Sequence, residues 1–294
     1  MIKVTENLAV NLPDEGNWDI VIEPQANLLD IKLKDVWQYR DLLFLFVKRD
    51  ITAQYKQTIL GPLWHFIQPV FTTIVFVMVF GKIANIPTDG IEPVLFYMSG
   101  ITIWNYFSSC LNSTSGTFVA NAGIFGKVYF PRLVIPLSTM MSNMVKFGIQ
   151  FFLLIVAIGY FGLTNGSFYF GFSWLLVPLL VIMMAAMGLG AGIIISSLTT
   201  KYRDFTVLIG FAVQLLMYAT PVAYPLSYLK NESVINVVRY NPLTPIIEAF
   251  RFSLFNKGDF NGFQLLYSSI FIIVVLFIGL IIFSKVERTF MDTV

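Results

Sequence analysis

Five stretches of this chain contain no Asp, Glu, Lys or Arg, and together they cover more than half of it. They lie between Lys56 and Lys82, Glu92 and Lys127, Lys146 and Lys201, Asp204 and Lys230, and Asp259 and Lys285. The longest, 147–200, runs for 54 residues. A bilayer core takes about 20 apolar residues per helix, so that stretch holds two crossings and a short turn. A water-facing core has no comparable use for it. Only 12% of the residues are charged, against about 25% in a soluble domain. The chain is therefore read as an all-α polytopic membrane protein and not as a large soluble enzyme.

Windows of about 20 residues place six transmembrane helices near 63–84, 94–116, 138–161, 174–198, 205–223 and 264–284. An even number puts both ends on one side. With the ends inside, the inner flanks hold nine basic residues: Lys48, Arg49, Lys56, Lys127, Arg132, Lys201, Arg203, Lys285 and Arg288. The outer side holds five: Lys82, Lys230, Arg239, Arg251 and Lys257. Basic residues concentrate in short cytoplasmic flanks, so both termini are expected in the cytosol. The acidic start, with Glu6, Asp14, Glu15, Asp19 and Glu23 and no basic-then-apolar lead, gives no cleavable signal peptide.

This divides the chain into a cytosolic segment 1–29, a segment 30–60, and a six-helix domain 61–294. In 30–60, apolar residues recur at 36, 39, 43, 47, 51 and 55, the spacing of an amphipathic helix. With Trp37, Tyr39 and Phe44 on it, this helix belongs at the inner membrane interface or on a partner protein. Segment 224–263 carries Pro225, Pro242 and Pro245 between apolar runs. It is read as a re-entrant outer hairpin of short helices, since irregular backbone at depth survives when buried in protein.

Residues with catalytic potential are sparse. There is no phosphate loop, no dinucleotide fingerprint, no zinc-protease helix and no nucleophile elbow. One histidine, His65, and one cysteine, Cys110, exclude histidine- or cysteine-cluster metal chemistry and a disulfide framework. The net charge of +2 does not call for nucleic acid. No carboxylate falls within the six spans, whereas proton-coupled pumps place them there. No metal or cofactor is expected on this chain, and any work it does must be driven from outside it.

The second span is the least apolar. Thr102, Asn105, Ser109, Asn112 and Gly116 recur at helical spacing with Ser108 and Ser113 beside them, which fits either helix packing or the lining of a wet passage. Gly188, Gly192 and Ser196 in the fourth span form a small-xxx-small face for close helix contact. Lys146 is the one charge at depth, at a cost of about 2.5 to 3.5 kcal/mol on insertion scales. Snorkelling of its stem to the inner surface is the expected relief, a polar cavity the alternative. Aromatic rings on the second span, Trp104, Tyr106 and Phe107, offer faces that stack on sugars as well as ordinary packing.

Four segments together resemble one family, the membrane subunits of ABC exporters for O-antigen, teichoic acid and capsule polysaccharide. They are WQYRDLLFLFVKRDITAQYKQTILGPLW (Trp37 to Trp64), KVYFPRLVIPLS (Lys127 to Ser138), KYRDF (Lys201 to Phe205) and NPLTPIIEAFR (Asn241 to Arg251). Each stands at the matching place in the six-span topology, and WDIVIEP (Trp18 to Pro24) is similar to the family's amino-terminal lead. Relatives often carry an acidic residue near the position of Lys146, and a Pro-Tyr-Pro-rich outer loop where this chain has GIEPVLF.

The resemblance implies a homodimer in the cytoplasmic membrane, served by two separate ATPase subunits that hold ATP and Mg, with membrane lipids around it and a lipid-linked glycan as cargo. It implies coupling to the ATPase through Lys127, Tyr129, Phe130, Pro131 and Arg132, with Tyr202, Arg203 and Asp204 as a second contact. Lys48, Arg49 and Lys56 become candidates for meeting a lipid pyrophosphate; from the residues alone they are ordinary inner-flank charges. The glycan passage, in the first, second and fifth spans, is assigned to Phe76, Trp104, Asn105, Phe107, Tyr218 and Tyr224. An exporter subunit for a lipid or drug, or a secondary transporter, are the alternatives.

Overall fold

The computed structural model describes residues 33–56, 61–125, 127–128, 130–165, 171–200, 202 and 204–293. The expected segment 1–29, Tyr129 and Arg203 lie outside them. Among the described residues every regular element is helical. In chain order these are α1 (Leu33–Gln38), α2 (Arg40–Tyr55), α3 (Trp64–Phe76), α4 (Pro93–Ser115), α5 (Thr117–Phe125), α6 (Val134–Asn165), α7 (Leu176–Thr199), α8 (Phe205–Tyr218), α9 (Glu232–Tyr240), α10 (Thr244–Phe255) and α11 (Gly262–Thr293). A π-helical turn, Val77–Ile83, continues α3.

Four of these are long and apolar enough to cross a membrane: Trp64–Ile83, Val134–Thr164, Phe172–Thr199 and Gly262–Val286. The two other expected crossings differ for opposite reasons. Helix α4 has the length, 23 residues, but its polar stripe lowers its hydropathy. Helix α8 is apolar but only 14 residues long, because the chain turns at Ala219 to Ala223 before Pro225.

Helix α7 is the axis of the bundle: 61% of its apolar window is buried, against 17% to 22% for the other three crossings. It packs mainly on α4 and α11, and glycines set both distances. A Cβ on Gly188 would stand 2.8 Å from Cys110 Cβ and one on Gly192 2.6 Å from Thr114 Cβ, so the small-residue face lies directly against α4. Ser196 extends it, its hydroxyl accepting from the Phe118 amide at 3.5 Å. The second seam is absent from the sequence reading: Gly190 faces Leu276 of α11, and a Cβ on Gly279 would lie 3.0 Å from the Gly190 carbonyl.

The segment before the first crossing is two helices that break at Tyr39. Val36 and Phe46 are buried, with Tyr39, Leu42 and Leu43 packed beside them. Trp37, Phe44 and Leu45 are exposed. Val36, Tyr39 and Leu43 of the expected stripe thus pack together against the bundle, and Trp37, Phe44 and Leu45 make a further apolar face that points outward.

The outer segment forms two short helices. Helix α9 starts at Asn231, whose side chain accepts from the Ser233 amide at 2.9 Å, as an N-cap should. Helix α10 begins with Pro245 in its first turn and ends at Asn256 in the left-handed region at φ 52, a common helix stop. Between these ends it is buried against α4, α7 and α11. Arg251, counted above among the basic residues of the outer side, is only 1% exposed. Its guanidinium donates to the carbonyls of Pro221 at 2.6 Å and Val222 at 2.7 Å and lies 3.7 Å over the Phe96 ring. Glu248 supplies the counter-charge at 3.3 Å. Burial pushes the Glu248 carboxyl above its ordinary range, and Arg251 pulls the other way.

Candidate functional site: a polar cavity between four helices

The polar residues of α4 meet a second polar set on α6. Asn105 donates to Gln150 Oε1 at 3.3 Å. Asn143 donates to the Ser109 carbonyl at 3.2 Å and to the Ser113 hydroxyl at 3.4 Å. Its own Oδ1 accepts from Lys146 Nζ at 2.9 Å. With Gln54 from α2 and His65 and Gln68 from α3, these side chains bound a cavity of about 290 Å³, completed by Tyr106, Ser108, Ser109 and Phe147.

Snorkelling is therefore not how Lys146 is accommodated. Asn143 is 2% exposed and holds the ammonium in the cavity wall. The reason is local: α4 and α6 join through amides and hydroxyls, so the charge stands among polar groups. The α4 stripe itself divides. Thr102 is buried and donates to the Met98 carbonyl, which is packing, whereas Asn105, Ser108 and Ser109 line the cavity. Sequence spacing could not separate the two, because the answer depends on where α6 crosses.

The passage candidates scatter. Asn105 faces the cavity. Trp104 and Phe107 are 3% and 1% exposed and pack on each other at 5.3 Å within the core. Phe76 packs with Phe80 and Tyr97 at 5.1 and 6.1 Å. Tyr218 is 48% exposed, and its carbonyl accepts from the Tyr224 hydroxyl at 3.1 Å, so these two form a pair where α8 ends.

Of the three basic candidates on α2 and at its carboxyl end, Lys48 and Lys56 are exposed. Arg49 grips Asp50 at 2.8 Å and rests 4.6 Å over Phe46, so its charge is already partnered. Among the coupling candidates, Lys127 is exposed and Phe130 is 5% exposed. Pro131 follows Phe130 at the foot of α6, and Arg132 stacks 5.4 Å over Phe125. Tyr202 is 53% exposed, and Asp204 stands at the amino end of α8.

An apolar helical bundle enclosing a polar cavity, with no phosphate loop of its own, is the build of a membrane transport subunit. The family model of the ABC-2 type transporter matches residues 41–255, and the chain belongs to that family. It is 30% identical over 268 residues to an O-antigen export system permease protein of Klebsiella pneumoniae, covering 90% of this chain and 99% of that one. A Myxococcus xanthus O-antigen export permease is 27% identical, over 74% and 82% of the two chains. A polysialic acid transport protein of Escherichia coli is 23% identical, over 86% and 95%.

Proposed function

We propose that this chain is the transmembrane subunit of an ATP-driven exporter that carries a lipid-linked polysaccharide across the cytoplasmic membrane. What carries this is the match to an O-antigen export permease along nearly the whole of both chains. Two copies form the passage, and two separate ATP-binding subunits supply the hydrolysis for which this chain has no phosphate loop.

Helices α3, α4, α6, α7, α8 and α11 serve as the six crossings, with both termini in the cytosol. At 23 residues α4 is about 35 Å long, enough to span, and its polar side is tolerated because it is enclosed. Helix α2 lies at the inner interface, where the outward Trp37 and Phe44 suit the headgroup level. Helices α9 and α10 sit in the outer leaflet. The residues Lys127, Tyr129, Phe130, Pro131 and Arg132, with Tyr202, Arg203 and Asp204, seat the ATPase. Lys48, Arg49 and Lys56 meet the carrier's phosphates at the inner surface. Asn105, Tyr218 and Tyr224 contact the glycan, and Phe76, Trp104 and Phe107 hold the walls behind them.

Depleting this chain in its host is the test. Surface polysaccharide should fall while lipid-linked glycan accumulates inside, and the wild-type chain should restore both. Unchanged surface polysaccharide would contradict the proposal.

A further inference from the structure

Lys146 stands twelve residues beyond the start of α6 at Val134, within an apolar crossing, and among the described residues its ammonium donates to a neutral amide, Asn143. Among the described residues no carboxylate pairs with it. None of the groups lining the cavity is acidic either. Asp50, one turn before Gln54 on α2, is near enough for its charge to act on Lys146, but its carboxylate is held at 2.8 Å by Arg49. The cavity wall therefore carries a positive charge among neutral amides and hydroxyls that can donate, in a place where an ionisable side chain implies a partner.

We infer that the cavity is an anion site that receives a phosphoryl group, with Lys146 as its charge. The donor arrangement selects among anions. A planar carboxylate is served best by the two-pronged fork of an arginine, and no arginine lines this cavity. A lysine ammonium acts as a point charge for phosphate. Around it the amides of Gln54, Gln68, Asn105 and Gln150 come from four helices, which suits a tetrahedral group with oxygens in several directions. At about 290 Å³ the space exceeds what a bare halide needs.

Exposure gives the site a direction. Gln54 and Gln68 are exposed, whereas Asn143 is buried, so the mouth opens between α2 and α3 and the ammonium lies deeper. Resting on the export function proposed above, the phosphoryl group is that of the lipid carrier, handed inward from the exposed Lys48 on α2 and Lys56 just after it; a free phosphate has the same chemistry and would use the same donors.

The full-length chain, held in nanodiscs of zwitterionic lipid, is tested by equilibrium dialysis against radiolabelled inorganic pyrophosphate and against farnesyl diphosphate. Saturable binding is expected for at least one probe. It should weaken about ten-fold or more in Lys146→Met, the scale of one lost charge-assisted hydrogen bond, and persist in Lys146→Arg. Tighter binding of farnesyl diphosphate identifies a lipid headgroup as the occupant, and equal binding of the two a free anion. Both support the site.

Should Lys146→Met fail to fold, the wild-type protein decides alone: pyrophosphate should shield the Lys146 amine from acetylation, read by mass spectrometry. Equal affinity in Lys146→Met, no saturable binding of either probe, or no shielding overturns the inference. The export function fails differently. Loss of the chain without any effect on surface polysaccharide, with anion binding intact, removes the exporter and leaves the site.

Discussion

The Phe46 ring on α2 stands 5.7 Å from the Phe130 ring in the loop before α6. The contact joins the helix whose basic residues are proposed to meet the carrier's phosphates with the loop proposed to seat the ATPase. Phe130 continues the series to Phe125 at 5.9 Å, Phe125 to Phe118 at 6.0 Å, and Phe118 to Phe283 of α11 at 4.8 Å. A motion imposed at the loop meets close-packed rings, and such packing shifts as a unit instead of deforming smoothly.

Phe130→Ala removes the ring that joins Phe46 to the rest of that series. A buried Phe-to-Ala change costs about 3 to 5 kcal/mol, so the apparent unfolding temperature should drop. Phe130→Leu keeps most of the volume and should fold. In that variant ATP hydrolysis by the assembled transporter should continue while cargo-stimulated hydrolysis falls. Undiminished stimulation would remove Phe130 from the coupling path.

Arg251 predicts an order among three substitutions. Arg251→Lys keeps the charge but cannot serve two carbonyls and the Phe96 face together, and each buried acceptor left unpaired costs about 1 to 3 kcal/mol. Glu248→Gln leaves the buried guanidinium without its counter-charge, and breaking a buried pair in that way costs about 3 to 5 kcal/mol, so it should cost more. Gly100→Ala should approach the arginine variant, because its Cβ would lie 2.7 Å from Arg251 Nη2 and 3.0 Å from the Val222 carbonyl. Thermal unfolding in detergent gives the ranking; a Glu248→Gln variant more stable than Arg251→Lys would refute it.

The α4–α7 seam makes a sharper contrast between glycines. Gly192→Ala meets Thr114 Cβ at 2.6 Å, whereas Gly148→Ala meets nothing within 4 Å. The first should lower the yield of folded protein; the second should be neutral or gain up to about 1 kcal/mol from helix propensity. Size-exclusion profiles of the two variants test this.

Of the aromatic passage candidates, Trp104 is 3% exposed and Tyr218 48%. Trp104→Ala should damage stability and export together. Tyr218→Ala should reduce export while leaving assembly and stability near wild type. Normal export in Tyr218→Ala would take it out of the passage.

The crossings at α3, α6, α7 and α11 were legible because charge spacing reports directly on burial in hydrocarbon, and the Gly188–Gly192–Ser196 face because helical periodicity is local. Arg251 misled as an outer-loop cation, since only the folded chain brings the Pro221 and Val222 carbonyls to it. Lys146 was visible as an anomaly, but its surroundings depend on Asn143 and Gln150 meeting Asn105 and Ser109 across two helices. The Gly190–Gly279 seam was missed because its halves are 89 positions apart and neither half repeats.

The central claim is that polysaccharide is the cargo. It is tested most directly by reconstituting this chain with its ATP-binding subunit in proteoliposomes and measuring ATP hydrolysis as purified lipid-linked glycan is added. Glycan should stimulate hydrolysis in the wild-type complex. Stimulation by a simple phospholipid or amphipathic drug, with none by the glycan, would contradict it.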